Sequence, residues 1–371
     1  NACPHVGFRV REDKMRKRNA PVVSRSKPNE DELTSSVAWN IAKINAPDVW
    51  SLGYNGTGVT IATIDGGVEY DHVALKYNYR GATVNGKDIE YDHDYNWQDW
   101  AYGSDVPSDS DGHGTNVQGI AAASQSSGVG VAVGSSWISA KVFNYAGYAA
   151  DSWILEAAQW VQCPTPVNDL QAKERCDLGA DVVSCSWGFD DPRSSFDFTE
   201  SWVKAGMVPV FAVGNFGPDC NSVVAPSTFE GVIGVGGTDK KDTIVGWSSR
   251  GPGPSSNGYS LLTPAVVAPG LSILGPDYES TSSYTAFSGT SQACPHLAGV
   301  SALLLSADPS LSTEDIYNLI TSTAERSALP EPDTGDTSCG GKQWDDFPNY
   351  IYGAGRVDAL AAMNALIKGN F

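Results

Sequence analysis

Short apolar runs, mostly of β-branched residues, recur along the chain and predict buried strands. They cover residues 59–64, 137–143, 180–186, 207–213 and 232–235, and each is closed by a glycine or a polar residue. A continuous apolar run of this length, rather than an alternating one, is typical of a strand that is covered on both faces. The pattern therefore indicates a sheet buried between two layers.

Helix-like stretches separate these runs, at residues 116–124, 151–162, 196–205, 295–306, 312–324 and 357–367. Ser312 followed by Glu314 and Asp315 places acid in a first turn, as helix starts favour. Strands alternating with helices predict an α/β fold, a mostly parallel doubly wound sheet flanked by helices, with a site at the carboxyl ends of the strands. No internal repeat is visible, so one large domain is favoured over two.

The composition excludes several classes of protein. With 371 residues and 41% hydrophobic residues the chain is globular rather than disordered or fibrous. The net charge of −19 makes nucleic acid and anionic membranes poor partners. The richest apolar stretch, residues 298–305, is far shorter than the roughly 18 residues that a membrane span needs.

Residues 1–35 differ from the rest and predict an extended N-terminal arm. The first 18 residues hold six Lys or Arg against Glu12 and Asp13, and the basic run ends at Lys17-Arg18. Two interpretations stay open: a solvated arm, or the remnant of a pro-segment that ends at Arg18 and is cut by a dibasic-specific protease. We expect residues 36–371 to form one folded domain.

Three motifs carry residues suited to chemistry. Asp65 follows a predicted buried strand and precedes two glycines, His113 lies between glycines before an Ala-rich helix, and Ser291 opens a helix after Gly-Thr. Taken singly, each has a structural interpretation: a turn carboxylate, a structural imidazole and a helix cap. Taken together they supply the nucleophile, base and orienting carboxylate that acyl transfer requires. Asn215, after the run 207–213, adds an amide that can stabilise an oxyanion.

The contexts of these four residues, TIDGG, DGHGT, VPVFAVGN and GTSQACPHLAG, resemble the subtilisin family of serine proteases from about residue 38 onward. The resemblance implies that Ser291 is the nucleophile, His113 the general base, Asp65 the orienting carboxylate and Asn215 an oxyanion donor. The implied activity is that of a serine endopeptidase acting through an acyl-enzyme. SCSWG, at 184–188, matches the family's substrate-lining strand. Ser186, Trp187, Gly188 and Gly214 are accordingly expected to bind the substrate.

By the same resemblance we expect a secreted enzyme that cleaves extracellular proteins and peptides, with a pro-domain as a further partner and otherwise a monomer. No cofactor is expected for the chemistry. Three alternative functions are a catalytically silent binding module, a dinucleotide-binding enzyme and a processing protease. The required side chains are all present, which disfavours the first, and isolated GxG motifs do not support the second. The third requires an acidic cleft, which the sequence alone does not locate.

The chain departs from the family pattern at several places. Asn116 replaces a frequent His and is taken as structural, Gln292 replaces a frequent Met, and Ala265 replaces a frequent Asp. The loop after the histidine helix lacks the family's calcium-binding side chains. Between Asp65 and His113 the chain is instead acidic, so a structural calcium ion is one interpretation and a solvated loop the other; the acids are Asp92, Asp94, Asp99, Asp105, Asp109 and Asp111.

The seven cysteines are sorted in part. Cys163 and Cys176 bracket a polar insertion and are predicted to form a disulfide. Cys185 and Cys294 are predicted to be buried free thiols. Cys3, Cys220 and Cys339 stay unassigned, and Asn55 begins a glycosylation sequon.

Overall fold

A seven-stranded parallel sheet lies at the centre of the computed structural model, which describes residues 12–18, 26, 36–86, 88–190, 198–253 and 262–369. The strands of these residues are β1 Met15–Lys17, β2 Thr60–Asp65, β3 Ala82–Asn85, β4 Asp88–Tyr91, β5 Trp97–Asp99, β6 Ser136–Lys141, β7 Tyr148–Ala150, β8 Val182–Cys185, β9 Val208–Ala212, β10 Ile233–Thr238, β11 Val266–Pro269, β12 Ile273–Pro276, β13 Tyr284–Phe287, β14 Ser338–Cys339 and β15 Lys342–Gln343.

The central sheet has the strand order β11-β10-β9-β8-β2-β6-β5, and every pair in it is parallel. Strands that follow β2 lie on both sides of it, with β5 and β6 on one side and β8 to β11 on the other. This reversal of strand order opens a crevice at the carboxyl ends of the strands. Asp65, the last residue of β2, lies at that point.

Helices cover both faces of the sheet, which confirms the predicted doubly wound α/β fold. Their bounds are α1 Trp39–Lys43, α2 Ala46–Ser51, α3 His113–Ala122, α4 Asp151–Gln162, α5 Phe198–Lys204, α6 Thr290–Ala307, α7 Thr313–Ser322 and α8 Ala359–Lys368, with 3₁₀ turns at Gln125–Ser127 and Cys176–Leu178. Alternate residues of β2 face opposite layers: Ile61 packs in the core that contains Leu297 of α6, and Ile64 in the core that contains Ile154 of α4. None of these helices is long and apolar enough to cross a membrane.

The helix-like stretch predicted over 295–306 is longer in the structure and begins where Ser291 is predicted to open a helix. In the structure the helix starts at Thr290 and contains Pro295. Proline has no backbone N–H, so the carbonyl of Ser291 loses its helical donor. The hydroxyl of Ser186 donates to that carbonyl instead, at 2.7 Å, which lets the helix begin one turn earlier.

Two central strands are missed by the sequence pattern. β5 has three residues, and β11 has four and ends at Pro269. Runs this short carry too little periodicity to be recognised. The predicted helix start at Ser312 is confirmed by a complete capping box, in which Ser312 and Asp315 exchange side chain to backbone hydrogen bonds.

The predicted disulfide between Cys163 and Cys176 is confirmed, and so are the buried free thiols Cys185 and Cys294. A second disulfide joins Cys220 to Cys339, 119 residues apart. No local sequence feature identifies a pair so distant. Cys3 lies outside the described residues.

Candidate active site

The carboxylate of Asp65 and the imidazole of His113 form a buried pair. Nδ1 of His113 lies 2.8 Å from Oδ1 and 3.0 Å from Oδ2 of Asp65, and neither residue is more than 1% exposed. The pair forms because the first turn of α3 presses against the turn after β2. A Cβ atom on Gly114 would lie 2.1 Å from the carbonyl oxygen of Gly67, so only glycine allows this approach.

Asp109 holds the start of α3 in place. Its carboxylate accepts hydrogen bonds from the backbone N–H groups of Asp111, Gly112 and Thr115, and from the Thr115 hydroxyl at 2.5 Å. Burial, and next the neighbouring charge of Asp111, raise the pKa of Asp109. This carboxylate was grouped among candidate calcium ligands, whereas the structure uses it to order the loop that presents His113.

Ser291 is the second residue of α6 and only 2% exposed. Its hydroxyl donates to the carbonyl of Ser186 at 3.0 Å. The amide of Gln292, next in the chain, lies 3.3 Å from Oδ1 of Asn116, three residues after His113, so the first turns of α3 and α6 meet. Nε2 of His113 is buried and has no hydrogen-bond partner within the described chain.

Asn215 follows β9 and faces the start of α6. Its Oδ1 accepts from the backbone N–H and the hydroxyl of Thr290, both at 2.9 Å. Because two donors meet one atom of the amide, that atom must be the oxygen. The NH₂ group of Asn215 is therefore available as a donor. It lies beside Thr290, the residue that precedes Ser291.

The other expected substrate-binding residues are all buried. Ser186 touches Ser291 directly, as described above. Trp187 is 2% exposed, donates its indole N–H to the carbonyl of Ile64 at 2.7 Å and packs in the core, so only its backbone can meet a substrate. Gly188 lies where a Cβ atom would be 2.4 Å from Val224, and Gly214 adopts a φ of +105°.

Arg18 of the N-terminal arm contacts the carboxylate of the Asp65–His113 pair. The sequence did not predict Arg18 as a site residue. Nη1 lies 2.9 Å from Oδ1 of Asp65, and Nη2 contacts the carboxylate of Asp111. Burial alone would lower the pKa of Arg18, but Asp65 and then Asp111 outweigh it and raise that pKa. Arg18 is 6% exposed and so departs from the solvated-arm interpretation, whereas residues 12–15 and Lys17 are exposed. The run of basic residues was the only signal in the sequence.

The same balance applies to Asp65. Burial would raise its pKa, but the charge and hydrogen bond of His113, with the charge of Arg18, outweigh burial and hold the pKa below its usual range. Asp65 therefore stays ionised in its buried position.

The acidic side chains between Asp65 and His113 do not gather into one metal site within the described residues. Asp94 accepts from the backbone of Val167, Asp99 from the backbone of Ala101 and Tyr102, and Asp111 pairs with Arg18. Asp92, likewise, accepts from the backbone of Asp94, and Asp105 contacts the amide of Asn168. Their oxygens are engaged in ordering this loop. They do not fit a shared calcium ion.

Cys294 lies three residues beyond Ser291 but is not suited to nucleophilic attack. Burial raises the pKa of its thiol to about 12, and burial also raises the pKa of Cys185 well above its usual value. The thiolate is the reactive form, so both groups are inert at neutral pH.

Comparison with known proteins gives a consistent result. A model of the subtilase family matches residues 56–355. Bacillopeptidase F of Bacillus subtilis (strain 168) is 35% identical over 353 residues, which cover 91% of this chain but only 23% of that protein. Subtilisin DY of Bacillus licheniformis is 32% identical over 296 residues, 78% of this chain and 92% of the relative. Subtilisin E of Bacillus subtilis (strain 168) is 30% identical over 298 residues, 79% and 67% respectively. The chain belongs to the subtilase family and carries its serine endopeptidase domain.

Proposed function

We propose that Ser291, His113 and Asp65 act as a catalytic triad that hydrolyses peptide bonds. His113 Nε2 takes the proton of the Ser291 hydroxyl while Oγ attacks the substrate carbonyl carbon. The C–N bond then breaks, and the leaving amine takes the proton from His113. Water, deprotonated by His113, releases the acyl group as a carboxylic acid and restores the Ser291 hydroxyl.

The buried Asp65–His113 pair is the observation that carries this proposal. An ionised carboxylate on Nδ1 places the ring proton there and leaves Nε2 as the basic nitrogen. Nε2 has no competing hydrogen bond within the described residues. In the structure the Ser291 hydroxyl points to Ser186, so a rotation about its Cα–Cβ bond must precede proton transfer; such looseness is common before substrate binds.

Asn215 is proposed as an oxyanion donor together with the backbone N–H of Ser291. The amide oxygen of Asn215 is occupied by Thr290, which orients its NH₂ group. The N–H of Ser291 lies in the first turn of α6, where no intrahelical acceptor exists. Both donors are held in place before the negative charge develops, which is the condition for effective transition-state stabilisation.

A fluorophosphonate probe tests the triad, because it labels only a serine that is activated in this way. We expect labelling of the wild-type chain at Ser291, none of Ser291→Ala, and a rate lowered by about 10⁴-fold in Asp65→Asn. Folded wild-type protein that fails to label would instead support the silent binding module.

We also propose the compartment in which the enzyme acts, its substrates and its domain bounds. Disulfides indicate an oxidising compartment, and the two in this structure support an extracellular enzyme acting on proteins and peptides. We propose residues 36–371 as the catalytic domain and 1–35 as the arm, with a pro-domain as a separate folding partner. The chemistry needs no cofactor, and the engaged carboxylates described above give the calcium interpretation little support.

A further inference from the structure

The N-terminal arm adds a strand beside the candidate active site. β1 pairs antiparallel with β7, with Met15 opposite Ala150 and Lys17 opposite Tyr148. The backbone N–H of Arg18 continues the ladder to the carbonyl of Gly147 at 2.7 Å. Within the described residues β1 is the only strand that pairs with β7. Without the arm, β7 would be an open edge of the kind to which extended peptides add as a strand.

Two arginines at alternate positions of the arm form ion pairs with carboxylates of the domain. Arg16 forms two hydrogen bonds with Asp151, at 2.6 and 3.1 Å, and Arg18 bridges Asp65 and Asp111. Alternate residues of a strand point to the same side, so both guanidinium groups face the domain. Paired contacts of this kind suit the planar guanidinium better than an ammonium group.

An aromatic ring lies against the guanidinium group of each of these two arginines. The guanidinium carbon of Arg16 lies 5.6 Å from the ring centroid of Phe189, and that of Arg18 lies 5.4 Å from Phe143. A cation over an aromatic face gains further stabilisation. Lys17, between them, is exposed, and its Nζ lies 5.9 Å from the ring centroid of Tyr148.

We propose that this groove, formed by β7, Asp111, Phe143, Asp151 and Phe189, binds extended peptides that carry arginine at alternate positions. Asp151 selects the outer arginine and Asp111 the inner one, the residue between them is not selected, and residues 12–18 are the chain's own occupant. As a statement about substrates, this rests on the proposed function. The inner arginine contacts Asp65, which also pairs with His113. A peptide bound in the groove therefore lies next to the triad.

Peptide binding tests this without requiring catalysis. The full chain carries Ser291→Ala to prevent cleavage and Arg16→Gln with Arg18→Gln to weaken the arm. It is titrated by calorimetry with a blocked peptide of residues 12–18, and with peptides that carry Gln at the outer or the inner arginine. We expect each Gln to weaken binding by about tenfold, as the loss of a charge-assisted pair does.

Three further substitutions in this background assign the carboxylates. Asp151→Asn should abolish the penalty for Gln at the outer position and keep the inner one. Asp111→Asn should keep the outer penalty and reduce the inner one, with the remainder due to Asp65. Asp169→Asn is the matched control, since Asp169 is exposed and lies outside the groove; both penalties should persist.

The proposal is overturned if the arginine and glutamine peptides bind equally, or if Asp151→Asn and Asp111→Asn leave both penalties intact. Failure of the proposed catalytic function gives a different result, namely absent fluorophosphonate labelling of the wild-type chain with peptide binding preserved.

Discussion

Ser186 and Ser291 exchange hydrogen bonds in both directions. The Ser186 hydroxyl donates to the backbone carbonyl of Ser291, and the Ser291 hydroxyl donates to the backbone carbonyl of Ser186. The first bond replaces the donor that Pro295 lacks. The position of the proposed nucleophile is therefore fixed by the segment after β8 as well as by its own helix.

Replacing Ser186 by alanine should destabilise the fold. The carbonyl of Ser291 would be buried without a donor, at a cost of about 1–3 kcal/mol. Urea unfolding in a Ser291→Ala background, which prevents autolysis, measures the change. Ser301→Ala is the control, because that hydroxyl donates to a carbonyl of Leu297 within α6 and its loss leaves no orphaned acceptor. Equal losses in the two variants would count against the special role of Ser186.

Replacing Asn215 by leucine should reduce kcat more than it changes KM. The donor acts on charge that develops only in the transition state, and the loss of one such donor typically lowers kcat by about 10²–10³-fold. Steady-state kinetics on a peptide substrate measures both constants. Thr290→Ser keeps a hydroxyl donor for Oδ1 of Asn215 and should retain most of the activity; a rise in KM alone in Asn215→Leu would contradict the oxyanion role.

His296 should make stability depend on pH between about 4 and 6.5. Its Nδ1 donates to the carbonyl of Gln292 and its Nε2 accepts from Asn40, so the folded protein holds it neutral. Burial lowers the pKa of His296 to about 4, from 6.5 in the unfolded chain. Between these values the unfolded state binds one more proton, so the free energy of unfolding falls as the pH falls.

The loss from pH 7 to pH 4 attributable to this histidine is about 3 kcal/mol. Urea unfolding of Ser291→Ala, with and without His296→Gln, isolates it, because His72 and His93 contribute equally to both proteins. Parallel pH profiles for the two proteins would refute the assignment.

The two disulfides should differ in their contribution to stability. In the chain-entropy model the loop of 119 residues closed by Cys220–Cys339 contributes about 5 kcal/mol and the loop of 13 closed by Cys163–Cys176 about 3 kcal/mol. Unfolding of the two paired Cys→Ala variants, again with Ser291→Ala, compares them directly. A larger loss on removing Cys163–Cys176 would contradict the ordering.

The sequence predicts the parts of the fold and site whose signals are local. The long buried strands are recognisable from their apolar, β-branched composition. Asp65, His113 and Ser291 are recognisable from the glycines and helix starts that surround them. Arg18 and the Cys220–Cys339 bond depend on contacts between distant segments, which leave no local pattern. The continuity of α6 through Pro295 also depends on such a contact, because the donor that makes Pro295 tolerable comes from Ser186, more than 100 residues away.

The three-residue length of β7 limits how tightly the groove can hold any strand. So short a ladder provides few backbone hydrogen bonds, and each contributes only about 1 kcal/mol net. Backbone pairing alone therefore gives weak, readily exchanged binding, and residence time depends on the side chains at the two arginine positions. The same shortness makes the edge a poor template for association between copies of the chain once the arm has been displaced.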